Sequence, residues 1–277
     1  MRLVRNKRPR RIIGAGRPLP SIACRGSSRL RDSLATNRSI TATLNPARAF
    51  RAPPDAAAVV VDQYRASSVM VAALEAGAAS LRPCLEPDDA RALAARLGPA
   101  SLLGGERGCV RIPGFDLGNS PAEYTPERVG GRDIVFTTTN GTRALDAAAG
   151  AREILVACLA NRAAVARALS RTQRIALRAA GTEGEPSLED TLAVGAVIDA
   201  LAGVDGAELD DGAAIALAAW RSLPDHGPAT IRAAMAPGRG ARNLAGRFDA
   251  DLDWCSRLDT HAVVPALDPS DGALRPR

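Results

Sequence analysis

Along residues 134–145, IVFTTTNGTRAL, an apolar run with strand character gives way to three threonines, an Asn-Gly pair and Thr142-Arg143. An Asn-Gly after a strand ordinarily announces a hairpin, with a second alternating strand behind it. Here residues 142–150 are alanine-rich, lack period-two alternation and close on a glycine, so the pattern predicts strand, polar turn, short helix. The same rhythm runs from about residue 56 onward. Strands are expected at 57–61, 80–84, 134–138, 153–158 and 174–179, and helices at 67–76, 87–97, 162–169 and 188–201. Ser67 or Ser68 is the expected N-cap of the first helix and Gly77 its stop. A helix at 213–223 and one more strand at 262–265 complete the pattern. Strands interleaved with helices predict an α/β fold, with a mainly parallel or mixed sheet, helices on both faces and a more helical C-terminal third.

Residues 104–128 break this rhythm. The segment GGERGCVRIPGFDLGNSPAEYTPER is rich in glycine and proline and almost without periodicity, so it reads as a long loop. Loops of that length inside a compact domain are commonly functional, and disorder seldom keeps Ile112, Phe115 and Leu117 beside its glycines.

In open α/β sheets, ligands bind where strands end and helices begin. Three stretches fit: VVVDQYRASS at 59–68, TTTNGTR at 137–143, and LVACLAN at 155–161 with Asn161 at an N-cap. Arg65 and Arg143 have the planar donor forks suited to a phosphate or sulfonate. Ser67, Ser68, Thr139, Asn140, Gly141 and Thr142 supply hydroxyls and turn N–H groups for an anion cradle. Asp62 at a strand end, with Glu106 and Asp116 in the long segment, are the candidate ligands for a hard cation such as Mg²⁺, which takes oxygen ligands and often joins carboxylates to a substrate phosphate.

Composition narrows the field. An apolar content of 46% in 277 residues is ample for a buried core, and with aromatics at 3% the packing falls to alanine and small aliphatics. Only Lys7 among the 36 basic residues is lysine, which reflects codon usage more than chemistry. The net charge of +6 divides unevenly: residues 1–50 carry 12 basic residues against Asp32 (+11), and residues 51–277 carry 24 against 29 acids (−5). The expected organisation is a basic, disordered extension at 1–50, followed by a single α/β domain at 51–277 with room for two intimately packed lobes. A mildly acidic core excludes nucleic-acid binding by the domain itself. The Arg/Ser-rich extension is also compatible with a transit peptide or an upstream read-through, and Arg10-Arg11 lacks the apolar stretch of a twin-arginine signal. Nothing approaches the ~18 apolar residues of a membrane span, so no membrane partner and a cytoplasmic location are expected. Cys24, Cys84, Cys109, Cys158 and Cys255 show no paired spacing, which points to a reducing compartment without disulfides or a zinc site.

Absences exclude further chemistry. His226 and His261 are the only histidines, and there is no phosphate-binding P-loop or G-x-S-x-G elbow. Asp251-Leu252-Asp253 imitates a phosphatase nucleophile motif but lacks the preceding apolar strand, and is set aside as a decoy.

The run GFDLGNSPAEYTPERVGGRDIVFTTTNGTRAL at 114–145 resembles the signature region of the 2-phosphosulfolactate phosphatase family. LLGGERG (102–108), VVVDQYRASS (59–68), AGTEGEPSLEDTLAVGAVID (180–199) and DADLDWCSRLDTHAVVP (249–265) match it in order, so the resemblance covers about residues 56–266. It implies an α/β enzyme that hydrolyses 2-phospho-3-sulfolactate to sulfolactate and phosphate with Mg²⁺, a step of coenzyme M biosynthesis in organisms that make it. Asp62, Arg65, Glu106, Arg107, Asp116, Asn119, Ser120 and residues 137–143 stand as the family has them. The departures are Gln63-Tyr64 for a Val-Leu pair, Ser67-Ser68-Val69 where threonines are common, Cys109 for glycine, and Glu185-Pro186 for a basic-aromatic pair. They bear on substrate identity more than on reaction type.

The expected site therefore has Asp62, Arg65 and Arg143 as catalytic groups, with Asp62, Glu106 and Asp116 on the metal. Ser67, Ser68 and Thr139 to Thr142 grip the phosphoryl group, while Arg107, Asn119, Ser120 and Asn161 meet the rest of a small anionic phosphate ester. Direct attack by water and a phospho-Asp62 intermediate both remain open, as does a homo-oligomer. The rival functions are the same chemistry on another hydroxy-acid or sugar phosphate, a non-catalytic protein that binds a phosphorylated metabolite, and a nucleic-acid-binding protein that uses the Arg-rich residues 1–50, which predicts that their deletion abolishes function.

Overall fold

In a computed structural model that describes residues 38–50, 52–201 and 203–277, eleven strands form one sheet. They are β1 (Ser39–Thr43), β2 (Ala57–Val61), β3 (Ser80–Pro83), β4 (Leu102–Arg107), β5 (Val110–Arg111) and β6 (Asp133–Thr137). β7 (Glu153–Ala157), β8 (Arg174–Ala179), β9 (Glu208–Leu209), β10 (Pro265–Asp268) and β11 (Ala273–Pro276) follow. The helices are α1 (Ala66–Glu75), α2 (Pro87–Leu97), α3 (Pro126–Val129), α4 (Gly141–Ala147) and α5 (Arg162–Ala168), then α6 (Leu188–Ala200), α7 (Asp211–Arg221), α8 (Pro228–Met235), α9 (Arg239–Leu244) and α10 (Asp249–Cys255).

Strand order is β5-β4-β6-β3-β11-β10-β7-β2-β8-β1-β9. β4, β6 and β3 form one parallel block, and β7, β2, β8, β1 and β9 another. The C-terminal hairpin β10-β11 joins the blocks by antiparallel pairings, each through a single residue pair, Ala266 with Leu155 and Leu274 with Leu81. Three antiparallel steps reverse the formal strand direction between the blocks. The C-terminal ends of β2 and β6 nevertheless meet at the site described below.

Alternation along β2 places helices on both faces. Ala57, Val59 and Val61 belong to one core cluster with Val165 of α5, Leu192 of α6 and Trp220 of α7, while Ala58 and Val60 share another with Val69 of α1 and Leu145 of α4. The mixed α/β sheet and the helix-rich last third agree with the sequence pattern.

Several expectations need correction. The folded chain begins before residue 51: β1 pairs with β8 in parallel, and the buried Arg38 guanidinium donates to the Thr172 and Ser170 carbonyls. Residues 1–37 of the expected extension, Cys24 among them, lie outside the described residues. The segment 104–128 is not a continuous loop: its start completes β4, turns into β5, and then forms a short 3₁₀ turn at Pro121–Glu123 and α3. Gly104 and Gly105 hid that strand from a propensity reading. Gly105 has φ +138 and a Cβ there would lie 1.9 Å from the Thr137 carbonyl oxygen, so β4 needs glycine where it runs against β6. Arg65, not a serine, occupies the N-cap position of α1. The late strand lies at Pro265–Asp268, meeting the expected span only at Pro265, where β11 provides its partner. Among the described residues no helix is long and apolar enough to cross a membrane, and Cys84, Cys109, Cys158 and Cys255 are free thiols.

Candidate active site

The end of β2 is locked by local hydrogen bonds. The Asp62 N–H donates to Ser67 Oγ (2.8 Å), its carbonyl accepts from the Ser67 N–H (2.9 Å), and its Oδ1 accepts from the Ala66 N–H (3.2 Å). Ser68 Oγ donates to the Gln63 carbonyl (2.9 Å). Both serines are therefore consumed in the turn and buried, so they are framework and not phosphate ligands. Gln63 is a strut as well. Its N–H donates to Asp190 Oδ1 (2.7 Å), its Nε2 to the Cys255 carbonyl (2.6 Å), and its Oε1 accepts from the Leu159 N–H (3.0 Å).

Glu106, at the end of β4, ties two turns together. Its Oε1 accepts from the Thr139 N–H (2.9 Å) and Thr139 Oγ1 (3.0 Å), and its Oε2 from the Cys109 N–H (2.8 Å). The polar turn after β6 is thereby held beside Asp62, and a Cβ on Gly141 would stand 2.8 Å from Asp62 Oδ2. Asp62, Arg65, Glu106, Cys109, Asn119, Thr138, Thr139 and Asn140 line a cleft of about 120 Å³ together with Thr182, Glu183, Gly240 and Asn243. That space suits a small metabolite and its water, not a polymer.

The cleft is anionic. Burial, then the charges of Asp190, Glu106 and Glu189, holds the Asp62 carboxyl well above the usual carboxylate range. Glu189 is pushed up to about 7 by burial and by Asp190, and Asp190 to about 6 by burial. Among the residues that line the cleft Arg65 is the one basic side chain. It is buried, its Nη1 donates to Asp251 Oδ2 at 2.5 Å, and its guanidinium lies 4.2 Å over the Phe248 ring. The Tyr64–Arg65 peptide bond is cis. Asn119 is buried, and among the described residues its Oδ1 has no hydrogen-bond partner.

Besides Ser67, Ser68 and Gly141, six expected site residues do not line the cleft. Asp116 is exposed, its Oδ2 accepts from the Leu103 N–H (2.8 Å), and it borders a surface depression with Glu127, Arg128 and Arg132. Leu103 is three positions before Glu106 on β4, roughly 10 Å of strand, which keeps Asp116 out of the cleft. Arg143 is 66% exposed and pairs with Glu86 (3.3 Å), because the buried side of α4 is formed by Gly141, Thr142, Ala144 and Leu145. Arg107 is one residue past Glu106 and so on the other side of β4; its guanidinium is occupied by the Leu85 carbonyl (2.7 Å), Thr137 Oγ1 (3.0 Å) and the Glu106 carbonyl (2.8 Å). Asn161 is fully buried, bridging the Cys158 N–H with the Val156 and Val263 carbonyls. Thr142 is buried too, bonded to Thr138, and Ser120 Oγ donates to Asp251 Oδ1 (2.5 Å).

The missed residues are Asn243, Glu183, Glu189 and Asp190, while Thr138 lay in the expected turn without being singled out and Asp251 was set aside as part of a decoy motif. Glu189 and Asp190 follow Ser187, whose Oγ accepts from the Asp190 N–H, so by pattern they are ordinary first-turn acids. Only the surrounding fold reveals that both are buried.

Two predictions arise here. Arg143→Ala should change kcat/KM less than threefold, since an exposed ion pair contributes little; a loss above tenfold would return Arg143 to the site. The second concerns pH. Glu189 retains its proton in the fold where the unfolded chain, with an ordinary carboxylate near 4.3, has lost it. Its ionisation therefore opposes folding: stability is fullest below about pH 4, falls as pH rises towards 7, and is level above. Without divalent cations, Glu189→Gln should be more stable than the wild type at pH 8 by on the order of 2 kcal/mol and nearly equal to it at pH 4.5. Urea titrations at both pH values check this, and an equal difference at both would exclude the charge as cause.

A sheet whose strand ends gather buried carboxylates, a buried guanidinium and a hydroxyl-rich turn around a small cleft defines an α/β enzyme for small, charged substrates. The 2-phosphosulpholactate phosphatase family model matches residues 44–269, and the chain belongs to that family. It is 43% identical over 227 residues to a protein of Synechococcus sp. (strain RCC307) named "Probable 2-phosphosulfolactate phosphatase", covering 79% of this chain and 91% of that one. A protein of the same name from Deinococcus radiodurans is 43% identical over 229 residues, covering 80% and 93%, and one from Symbiobacterium thermophilum 40% over 224, covering 76% and 90%.

Proposed function

We propose that the chain is a phosphoric monoester hydrolase that converts 2-phospho-3-sulfolactate and water to sulfolactate and phosphate at this cleft, with Mg²⁺. The observation that carries this reading is the convergence of Asp62, Glu106, Arg65 and the Thr138-Thr139-Asn140 turn on one small cavity. Arg65 binds the phosphoryl oxygens through nitrogens turned away from Asp251, and the Thr139 and Asn140 turn borders the same group. Asn119 and Asn243 are the uncharged amides left to meet the sulfonate and carboxylate ends.

A substrate bearing phosphate, sulfonate and carboxylate groups is repelled by Asp62, Glu106 and Glu183, and Arg65 alone does not offset that charge. The residues present fit a hard cation. Asp62 is held above its normal range by burial and then by neighbouring acids, and among the described residues the Asn119 Oδ1 is an unpartnered oxygen of a cleft-lining side chain. Asp62 and Asn119, with Glu106 behind them, would hold Mg²⁺. Mg²⁺ takes one or two carboxylates and keeps several waters, so a full set of protein ligands is not required of it. When bound, the ion supplies charge neutralisation at the phosphoryl oxygens. Asp62, at the end of β2 on the cleft, accepts the proton of the attacking water. The water oxygen bonds to phosphorus, the ester oxygen leaves, and the proton passes to that oxygen.

Phosphate release is to be measured from 2-phospho-3-sulfolactate and a panel of hydroxy-acid and sugar phosphates, with Mg²⁺ and with chelator. Turnover of the sulfonate ester at least tenfold above the panel, lost with chelator, is expected. Preference for another ester would overturn the substrate, chelator-resistant turnover the metal, and no turnover of any ester the hydrolase.

A further inference from the structure

Arg65 and Asp251 are 186 positions apart in sequence and both nearly inaccessible to solvent, with side-chain exposures of 2% and 3%. Only one guanidinium nitrogen, Nη1, is committed to Asp251, and among the described residues the other nitrogens have no protein acceptor. Asp251 is itself fixed: its second oxygen, Oδ1, accepts from Ser120 Oγ at 2.5 Å. Phe248, just before α10, covers the guanidinium face at 4.2 Å. The segment 248–251 thus closes the back and one face of Arg65, and leaves its free edge towards the cleft.

This arrangement answers a problem set by the cleft. Asp62 and Glu106 line the same cavity, and an unrestrained guanidinium would fold onto them and neutralise both. A carboxylate behind Arg65, locked against rotation by a serine hydroxyl, holds the cation back and keeps its remaining donors for an incoming oxyanion.

We propose that Asp251, fixed by Ser120, is the positioning residue that aims Arg65 at the oxyanion of the bound ligand. The inference rests on the reading of this cleft as a phosphate site. It gives a role to the Asp251-Leu252-Asp253 motif, not as a nucleophile but as the anchor of the cation.

Calorimetric titration with inorganic phosphate tests it, on the full chain and on Asp251→Asn, Arg65→Met, the double variant and Ser120→Ala, beside kcat and KM for 2-phospho-3-sulfolactate. Asp251→Asn and Arg65→Met should each weaken phosphate binding at least tenfold. The double variant, in which both buried charges are gone, should be within twofold of Arg65→Met, since Asp251 acts only through Arg65. Ser120→Ala keeps the ion pair and the fold, and should weaken phosphate about threefold. If Asp251→Asn does not fold, Ser120→Ala and the double variant decide. Additive losses, wild-type affinity in Asp251→Asn or Ser120→Ala, or no phosphate binding by the wild type would each overturn the inference. The expected binding pattern without turnover of the ester would leave the positioning role standing and remove the proposed substrate.

Discussion

Asp62→Asn should lower kcat at least 10³-fold, about 4 kcal/mol of transition-state stabilisation, and at the same time raise the melting temperature. Asparagine retains an oxygen to accept from the Ala66 N–H, which Asp62 Oδ1 now does at 3.2 Å, so the turn into α1 keeps its lock. What disappears is the charge and the basic oxygen at the cleft. The carboxylate is disfavoured in place by burial and by Asp190, Glu106 and Glu189. Removing it at pH 8 relieves that repulsion, and each 1 kcal/mol gained raises the melting temperature by roughly 2–4 °C for a chain of this size. Function and stability are opposed at this residue, as happens where a site retains charges the fold would shed. Mg²⁺ should stabilise the wild type more than the variant, because the ion binds the state that Asp62 helps to form. Initial rates and melting curves with and without Mg²⁺ check all three, and an Asp62→Asn enzyme with wild-type kcat would remove Asp62 from the chemistry.

The same carboxylate shows what local sequence can convey. Asp62 and the TTTNGTR turn were legible because each sits where an apolar run stops, and strand ends of α/β sheets are where ligands bind. Glu106 was legible as a carboxylate near glycines, although the strand that carries it was not, because Gly104 and Gly105 have low strand propensity and are explained only by the pressing approach of β6. Arg143 and Arg65 looked alike, each a guanidinium just past a strand. The difference lies in partners far along the chain: Arg65 meets Asp251 and Phe248 from the C-terminal helical segment, whereas Arg143 meets only Glu86 in an exposed pair. Asp116 failed for a related reason, since its place was set by a backbone pairing of residues 116–117 with Leu103, which no periodicity announces. Glu189, Asp190 and Asp251 carry no local mark of burial. The helix α9, which supplies Gly240, Asn243 and Leu244 to the cleft, is short, and its packing is tertiary in origin.

Gly141 carries the other large expected effect. It opens α4 directly beside the β2 end, and a Cβ there would lie 2.4 Å from Ala66 Cβ, 2.8 Å from Asp62 Oδ2 and 3.2 Å from Thr138 Oγ1. None of these neighbours is the free end of a flexible chain. Ala66 starts α1, Asp62 is held by the bonds of its turn, and Thr138 Oγ1 accepts from the Thr142 N–H at 3.3 Å. Gly141→Ala must therefore push the polar turn away from β2, separating Asp62 from Thr139 and loosening the Glu106 contacts that join the turn to β4. Overpacking of this kind destabilises by ~1–3 kcal/mol, and a displacement near 1 Å at reacting groups reduces rate about 10²-fold. The matched control is Gly150→Ala. That glycine has φ +93 and nothing within 4 Å of an added Cβ, so the change strains the backbone without touching the cleft. Both variants should lose stability in urea, but only Gly141→Ala should lose kcat/KM once activity is normalised to folded protein. Equal activity in the two would mean that the approach of the turn to Asp62 is unimportant for turnover, and the cleft would have to be built around Glu106 alone.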